Sequence, residues 1–417
     1  MEELTYNFRL KDAIIGAQML LVAFGALVLV PLLTGLNSNV ALFTAGIGTL
    51  LFQIVTRGKV PIFLASSFAF IAPISYGVQT WGLTATLGGM IAVGLFYMVL
   101  SFIIKVRGIG FIINLLPPIV TGSVIAVIGL ILAPTGMKMA MGIAGTEQVI
   151  PQNTALIVSM SSLVTTILVS LLGKGILRLL PILAGIIVGC IVAAFMGILD
   201  LSPVADAKWF ALPPFVFPTF ELAPILYFIP VALAPAIEHF GDILAISSVT
   251  GRNFLEKPGI SRTMFGDGIA TSLACFFGGP PNTTYSEVTG AVALTRSFNP
   301  AIMTWAAITA ILLSCVGKLG AVLHCVPMPV MGGIMVLLFG SIMVVGLNTL
   351  VQSRENLMET RNLVIVAMVI IFGIGGISID IGEFHLSGIG LSAIIGVFLN
   401  LILPGKKYHH VEPTQRQ

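Results

Sequence analysis

Long apolar runs separated by short polar breaks make up most of this chain. Runs of about 17 to 25 residues recur from end to end, and that length crosses roughly 30 Å of hydrocarbon. Two examples are IIGAQMLLVAFGALVLVPLL (14–33) and LGGMIAVGLFYMVLSFII (87–104). The runs do not show the alternation of about ten residues that marks the strands of a membrane barrel. The pattern therefore predicts an all-α polytopic membrane protein.

Composition agrees with the pattern. The 417 residues are 57% hydrophobic and 9% charged, and the mean hydropathy is +1.07. A soluble domain needs more surface charge than this. The first apolar run is too long for the core of a cleavable signal peptide. The four cysteines lack metal-ligand spacing and are interpreted as small core residues rather than as disulfides or metal ligands.

The polar breaks divide the chain into fourteen predicted spans, two of them irregular. The predicted spans are 13–33, 41–56, 60–77, 83–104, 112–133, 153–173, 177–199, 221–250, 263–279, 281–296, 300–324, 327–349, 361–378 and 386–404. With this count, 17 of the 20 Lys and Arg residues fall in the tails or in loops after even-numbered spans. The positive-inside rule then predicts that both termini and these loops are cytoplasmic, in the inner (plasma) membrane.

The two halves of the chain resemble each other weakly. The matching segments are GIGTLL (46–51) with GIATSL (268–273), PIVTG (118–122) with PVMGG (329–333), Ser101…Lys105 with Ser314…Lys318, and FG (24–25) with FG (240–241). The matches keep their order at offsets of 211 to 222 residues. Seven spans per half is an odd number, so the halves are predicted to be inverted, as in secondary transporters. Lys105 and Lys318 are then interfacial residues on opposite faces.

Two spans are interrupted by proline at matching positions in the two halves. Span three reads KVPIFLASSFAFIAPISYG (59–77), and span ten begins PPNTTYSE (280–287). Each is predicted to hold a short extended piece that leads into a half-helix. Glu287 precedes Arg296 by nine residues, about 14 Å of helix, which puts Glu287 near mid-bilayer if Arg296 marks the cytoplasmic face. Inversion puts Phe68 at the same depth, so two helix N-termini face one point.

Carboxylates inside these spans are candidate binding groups, because ionisable residues are expensive in the membrane. Glu287 also fits a capping box that starts at Thr284, and the two roles can coexist. Glu238 and Asp242 stand at i and i+4 of span eight and share one helix face. That arrangement suits a proton-coupled carrier, and the alternative is a pair of polar residues packed against backbone or water.

Two further polar residues receive supporting roles. His239 points away from the face of Glu238 and is interpreted as a packing or supporting residue. Asp267 is expected near the cytoplasmic end of span nine, where it faces water or caps a helix.

Several motifs together carry a family resemblance. They are SSFAFI (66–71), EHFGD (238–242), GGPPNTTYSE (278–287), TGAVALTR (289–296) and PMPVMGG (327–333). With them, nearly the whole chain resembles the nucleobase:cation symporter-2 (nucleobase–ascorbate transporter) family, and within it the bacterial uracil permeases. The resemblance implies fourteen spans as two inverted sets of seven, with short antiparallel strands in spans three and ten.

The resemblance also implies a division into two domains. A core domain is formed by residues 1–107 (spans 1–4) and 221–325 (spans 8–11). A gate domain is formed by residues 108–220 (spans 5–7) and by residues 326–417, which hold spans 12–14 and the cytoplasmic tail. A homodimer is plausible for such a protein.

The same resemblance implies roles for individual residues. Glu238 and Glu287 accept hydrogen bonds from the ring N–H groups of uracil, and the backbone N–H groups of Phe68 and Ser286 bind its carbonyl oxygens. Tyr285 and Phe68 line the pocket, with Ser67 beside them. These donors and acceptors complement the flat uracil ring. Glu238, Asp242 and Glu287 are expected to share the coupling proton.

Three positions depart from the pattern of the uracil branch. Asp242 stands where histidine is usual, Ser286 where glycine is usual, and Val288 where the family favours asparagine. Aspartate at position 242 is a feature of purine-type relatives, whereas TTYSE matches the uracil branch. Proton coupling therefore depends on Asp242 taking the role of the histidine.

These features predict a proton-driven uracil importer without a cofactor, and Na⁺ remains open as coupling ion. One alternative is a xanthine or uric acid symporter of the same fold. A second is an anion exchanger of the sulfate-transporter type, whose substrates a pair of glutamates would repel. An enzyme is not expected, because the sequence shows no nucleophile or metal cluster, and the charge balance does not indicate a nucleic acid partner.

Overall fold

The fold is built almost entirely from helices. The computed structural model of the protein describes residues 6–175, 177–353, 355–381 and 384–404. The helices, labelled α1 to α18 in chain order, are Asp12–Thr34, Ser38–Val55, Ile71–Trp81, Leu83–Arg107, Ile109–Leu115, Pro118–Ala140, Gln152–Leu172, Pro181–Phe195, Ser202–Asp206, Leu222–Val231, Leu233–Thr250, Ile260–Phe276, Ser286–Thr295, Ala301–Ser314, Gly317–His324, Met328–Gln352, Thr360–Ile374 and Gly388–Ile402. The predicted cytoplasmic tail from residue 405 onward lies outside the described residues.

Six short strands form three antiparallel pairs within the described ranges. The strands, labelled β1 to β6, are Leu64–Ser66, Ile143–Ala144, Glu147–Gln148, Asn282–Thr284, Ser378–Ile381 and Phe384–Ser387. β2 pairs with β3 and β5 with β6, each as a local ribbon. β1 pairs with β4, far away in sequence, and Ala65 lies opposite Thr283.

Seven helical segments in the described ranges are long and apolar enough to cross a membrane, and four shorter helices of 10–17 residues are also apolar. The prediction of a mostly helical protein with many apolar helices is therefore confirmed. The predicted interruption of spans three and ten by short strands also matches the structure, in which β1 precedes α3 and β4 precedes α13.

Three predicted spans differ from the helices observed. Span eight (221–250) is divided at Ala232 into α10 and α11, between Pro230 and Pro235, because proline removes a backbone donor and crowds the preceding turn. Span eleven (300–324) is divided into α14 and α15, and Val316 between them pairs with Phe210. Span five begins at Pro118, since the residues before this proline form the separate helix α5.

Glycines let the longest helices approach each other closely. A Cβ atom added at Gly122 of α6 would lie 2.8 Å from the carbonyl oxygen of Gly346 in α16. One added at Gly268 of α12 would lie 2.7 Å from the carbonyl oxygen of Gly94 in α4. Small residues at such contacts are the usual means of packing membrane helices. The two helix pairs therefore form closely packed parts of the interior.

An extended segment, Trp209–Phe220, crosses several helices and is called the strap here. The N–H of Ala211 donates to Cys315 (3.0 Å), that of Val216 to Phe277 (3.3 Å), and that of Thr219 to Thr84 (3.0 Å). Lys318 donates to the carbonyl oxygen of Val204 (2.7 Å) and lies 5.3 Å from the centre of the Trp209 ring. Lys318 therefore contacts the strap and the helix before it, and its interfacial position stays a prediction.

Candidate functional site

The two interrupted segments meet through their backbones. Beyond the β1–β4 ladder, the N–H of Ser67 donates to Pro281 (2.9 Å) and that of Tyr285 donates to Phe63 (3.1 Å). The Tyr285 hydroxyl donates to the carbonyl oxygen of Ser66 (2.8 Å). The structure thus brings residues 66–70 and 283–287 together, as predicted.

Local sequence explains why these segments are extended. Pro61 in one segment and Pro280–Pro281 in the other cannot donate to a helical ladder, so regular helix is excluded there. Threonines of neighbouring helices hold the strands instead. The Thr49 hydroxyl accepts from the N–H of Leu64 (2.9 Å) and donates to its carbonyl (3.2 Å), and the Thr271 hydroxyl donates to the carbonyl of Asn282 (2.8 Å).

Each strand is followed directly by the start of a helical segment. Phe68 begins a short 3₁₀ turn that leads into α3, and Ser286 is the first residue of α13. The first N–H groups of a helix have no partner within the helix, and Phe68 and Ser286 stand at such positions. The residue at the cap position of α13 is Tyr285, which makes no side-chain cap. The predicted capping box from Thr284 to Glu287 is therefore wrong.

The hydroxyl of Thr284 forms a hydrogen bond with Asp242 instead of capping α13. Its hydroxyl donates to Asp242 Oδ2 (2.6 Å), and the Ser286 hydroxyl donates to Asp242 Oδ1 (3.1 Å). Asp242 is buried on α11. Both of its carboxylate oxygens accept hydrogen bonds, one from Thr284 on β4 and the other from Ser286 on α13. This carboxylate joins three of the elements that form the site.

Glu238 and Glu287 are half-buried and lie near Asp242. The charges of Glu238, Asp242 and Glu287 are close enough to interact. Glu287 also lines a cavity of about 190 Å³ that extends along Gly290 and Leu294 of α13 to Arg178. Ser286 is exposed on the same face of α13. The three predicted acidic residues thus lie near one another, and Glu287 lines the cavity.

Aromatic and hydroxyl groups complete the surroundings. The rings of Phe68 and Tyr285 lie nearly parallel, with an interplanar angle of 19° and centroids 6.2 Å apart. The hydroxyls of Ser66 and Ser67 are buried and have no hydrogen-bond partner among the described residues. Unpaired buried hydroxyls are costly unless a ligand or water satisfies them.

A second polar cluster lies behind the acidic site. His239 Nδ1 is 3.0 Å from Asp267 Oδ2, and both side chains are fully buried. His239 Nε2 is 3.0 Å from the hydroxyl of Thr263, which donates to the carbonyl oxygen of Ile260 (3.0 Å). A hydroxyl that donates elsewhere must accept from Nε2–H, so the other ring nitrogen, Nδ1, is the one that faces Asp267. Asp267 is therefore enclosed beside His239, and the prediction that it faces water or caps a helix is wrong.

Three threonines that hold the polar groups of the site could not be recognised from the sequence. Thr284, Thr263 and Thr271 all act through hydroxyls, and a threonine gives little signal in a sequence because it also packs well in apolar helices. The unusual Gly-Asp-Gly at 266–268 was the clearest available sign that Asp267 is enclosed between close-packed helices. In the described part of the chain, no cluster of three His, Cys, Asp or Glu residues is arranged to hold a metal ion.

Known proteins resemble this chain over most of its length. The sequence profile of a family described as "Permease family" (Xan_ur_permease) matches residues 10–381. A probable uracil permease of Pasteurella multocida (strain Pm70) is 56% identical over 405 residues, 97% of this chain and 96% of that protein. The uracil permease of Escherichia coli (strain K12) is 40% identical over 388 residues, 93% and 90% of the two chains.

Solved structures resemble the fold at low sequence identity. SLC26A9 superposes with a TM-score of 0.69 at 13% identity over 95% of this chain and 66% of that one. The transmembrane domain of the cyanobacterial bicarbonate transporter BicA gives a TM-score of 0.66 at 15% identity over 95% and 98% of the chains. The profile match and the close relatives, together with the apolar helices, show that this integral membrane protein belongs to the nucleobase:cation symporter-2 family of permeases.

Proposed function

We propose that this protein imports uracil across the inner membrane by proton symport. The observation that carries the proposal is the convergence of Glu238, Asp242 and Glu287 on two paired strands that precede helix starts. Relatives named as uracil permeases at 40% to 56% identity favour uracil as the substrate.

Uracil recognition follows from hydrogen-bond complementarity. The ring has two N–H groups, which donate hydrogen bonds to Glu238 and Glu287. Its two carbonyl oxygens accept hydrogen bonds from the backbone N–H groups of Phe68 and Ser286. Phe68 and Tyr285 contact the ring faces, and the hydroxyl of Ser67 is close enough to assist. A purely apolar pocket would not discriminate uracil from other flat rings.

Proton coupling is proposed to act through Asp242. As an ionised group it accepts from both Thr284 and Ser286. When a proton binds to one oxygen, that oxygen becomes a donor, and the hydroxyl facing it must change from donor to acceptor. Ser286 is the first residue of α13, and its backbone N–H is proposed to bind the substrate. Protonation of Asp242 therefore changes the hydrogen bonding of a residue beside the substrate. Asp242 thereby takes the role that a histidine has in related permeases.

We further propose fourteen spans in two inverted repeats, with a core domain that moves against a gate domain to give alternating access. The equivalent threonines Thr49 and Thr271, from the matching segments 46–51 and 268–273, hold the two strands in the same way. Their agreement supports the repeat.

The strap forms hydrogen bonds with α4, with α15 and with the residues around them, so it belongs with the proposed core although it precedes residue 221.

The orientation proposed has both termini in the cytoplasm. Basic residues from three predicted cytoplasmic loops line one cavity, namely Lys59, Lys105, Lys257 and Arg262. Lys318 lies apart from them, against Val204 and Trp209. This segregation supports the assignment by the positive-inside rule.

Uptake of radiolabelled nucleobases into membrane vesicles, with and without an inward pH gradient, tests the function. We expect saturable uracil uptake that needs the gradient, persists without Na⁺, and is lost in Glu238→Gln and Glu287→Gln. Glu256→Gln, which changes an exposed carboxylate, serves as the control. Strong competition by xanthine with weak uracil uptake would instead assign a purine, and accumulation driven by Na⁺ alone would refute proton coupling.

A further inference from the structure

A cavity at the basic end of the molecule is separate from the acidic site. It measures about 570 Å³ and is walled by the end of α4, the loop that precedes β1, and the start of α12 with the residues before it. The loop before β1 and the segment before α12 each contribute a basic residue. The hydroxyl of Ser101 on α4 donates to the carbonyl oxygen of Ser261 on α12 (2.6 Å), which fixes two of the walls together.

Four cations line this cavity and no carboxylate does. They are Lys59, Lys105, Lys257 and Arg262. None of the four forms an ion pair within the described ranges of the chain, where His239–Asp267 is the pair observed. Like charges gathered at one place repel each other, and an anion bound among them relieves that repulsion.

Two aromatic rings among the other lining residues are exposed. Phe102 on α4 is 67% exposed and Phe265 on α12 is 40% exposed. These exposed rings line the same cavity as the cations, so acyl chains of a bound lipid could pack on them. Basic pockets between helices at the edge of a bilayer are suited to anionic lipid headgroups.

We propose that this cavity binds the phosphate headgroup of an anionic phospholipid, with Lys105 and Arg262 as its main contacts and the acyl chains along Phe102 and Phe265. The lipid bridges α4 and α12, both of which hold parts of the proposed core. The proposal goes beyond uracil transport and does not depend on which substrate is carried.

Lipid binding to the purified full-length protein in a neutral detergent tests the proposal. Short-chain phosphatidylglycerol, phosphatidylcholine of the same chain length and inorganic phosphate are titrated separately. Native mass spectrometry counts the bound lipids, and thermal unfolding reports any stabilisation. We expect phosphatidylglycerol to bind and to raise the unfolding temperature, whereas phosphatidylcholine and inorganic phosphate have little effect, because the first lacks net charge and the second lacks acyl chains.

Matched variants separate the cavity from general surface charge. Lys105→Gln with Arg262→Gln should weaken phosphatidylglycerol binding by about five-fold per cation removed. Arg107→Gln with Lys174→Gln removes the same charge from exposed residues outside the cavity and should leave binding unchanged. Lys105→Arg with Arg262→Lys keeps the charges and should retain binding even if the glutamine variant folds poorly.

Three outcomes would overturn the proposal. Equal binding of the two lipids would show that the headgroup charge is not recognised. Equal weakening by the control pair would show that only net surface charge matters. Stabilisation by inorganic phosphate to the same extent as by phosphatidylglycerol would identify a free anion, rather than a lipid, as the ligand.

Discussion

At the scale of single residues, the acidic site is defined by what each carboxylate contacts. The sequence predicted Glu238, Asp242 and Glu287 as a group, because charge inside an apolar span stands out. It did not predict that Thr284 and Ser286 bind Asp242, since the pairing depends on how α11 packs against β4 and α13. Contacts between distant segments are set by tertiary packing, which the local pattern does not contain.

The first prediction concerns Asp242. Asparagine keeps the shape of the side chain but neither binds a proton nor accepts hydrogen bonds at its nitrogen. We expect Asp242→Asn to abolish accumulation of uracil driven by a pH gradient while exchange of internal for external uracil continues. Accumulation and exchange are measured in the same vesicles. Gradient-driven accumulation equal to that of the unaltered protein would contradict the role of Asp242.

The second prediction concerns the buried His239–Asp267 pair. Asp267→Leu leaves His239 buried without its partner, which should lower the free energy of unfolding by about 3 to 5 kcal/mol. The double variant His239→Leu/Asp267→Leu removes both groups and should recover most of that loss. Urea unfolding in detergent completes the double-mutant cycle. Strictly additive effects would show that the two residues do not depend on each other.

At the scale of elements, the chain replaces helix by strand where proline and hydroxyl-bearing residues occur close together. The sequence predicted both interrupted spans because proline excludes regular helix. The divisions of spans eight and eleven were not predicted. Pro230 and Pro235 are compatible with a bent but continuous helix, and the break at Val316 reflects its pairing with Phe210 in the strap.

The third prediction compares the two threonines that hold the strands. Thr49 makes two hydrogen bonds to Leu64, whereas Thr271 makes one to Asn282. Valine has nearly the same shape without the hydroxyl, and each lost bond to a buried partner costs about 1 to 3 kcal/mol. We expect Thr49→Val to lower stability more than Thr271→Val in urea unfolding. The reverse order would show that the hydroxyls do not govern strand stability.

The fourth prediction concerns access to Glu287 along α13. A Cβ atom added at Gly290 meets nothing within 4 Å, and Gly290 lines the cavity that contains Glu287. Gly290→Trp should therefore fill the passage and stop uracil uptake without loss of folding, which gel filtration checks. Gly340 on α16 also faces open space but does not line this cavity, so Gly340→Trp is the matched control. Normal uptake by the Gly290 variant would mean that the substrate takes another route.

At the scale of the whole molecule, composition and the family motifs predicted a helical membrane permease correctly. The positions of the long helices α1, α4 and α16 follow from runs of apolar residues, which need no tertiary information. The arrangement of the spans around the site is less evident. The proposed repeat rests on short matches such as 46–51 with 268–273, which are too weak to fix how the spans are arranged.

The fifth prediction tests the proposed orientation. Single cysteines are placed at Arg107, the last residue of α4, and at Val149, which is 61% exposed between α6 and α7, in a protein whose native cysteines are replaced. A membrane-impermeant maleimide should label Val149→Cys in intact cells and Arg107→Cys only after permeabilisation. Labelling of both from outside would contradict the inverted arrangement, because the two positions would then lie on the same face.

The pairing of β1 with β4 has a consequence for biogenesis. Ser66 and Tyr285, which bond to each other beside these strands, are 219 residues apart. While the ribosome makes the intervening chain, β1 has no partner strand. Its unpaired backbone N–H and C=O groups are energetically costly in hydrocarbon. We therefore expect water or the insertion machinery to satisfy these backbone groups of the first half until the second half has been translated.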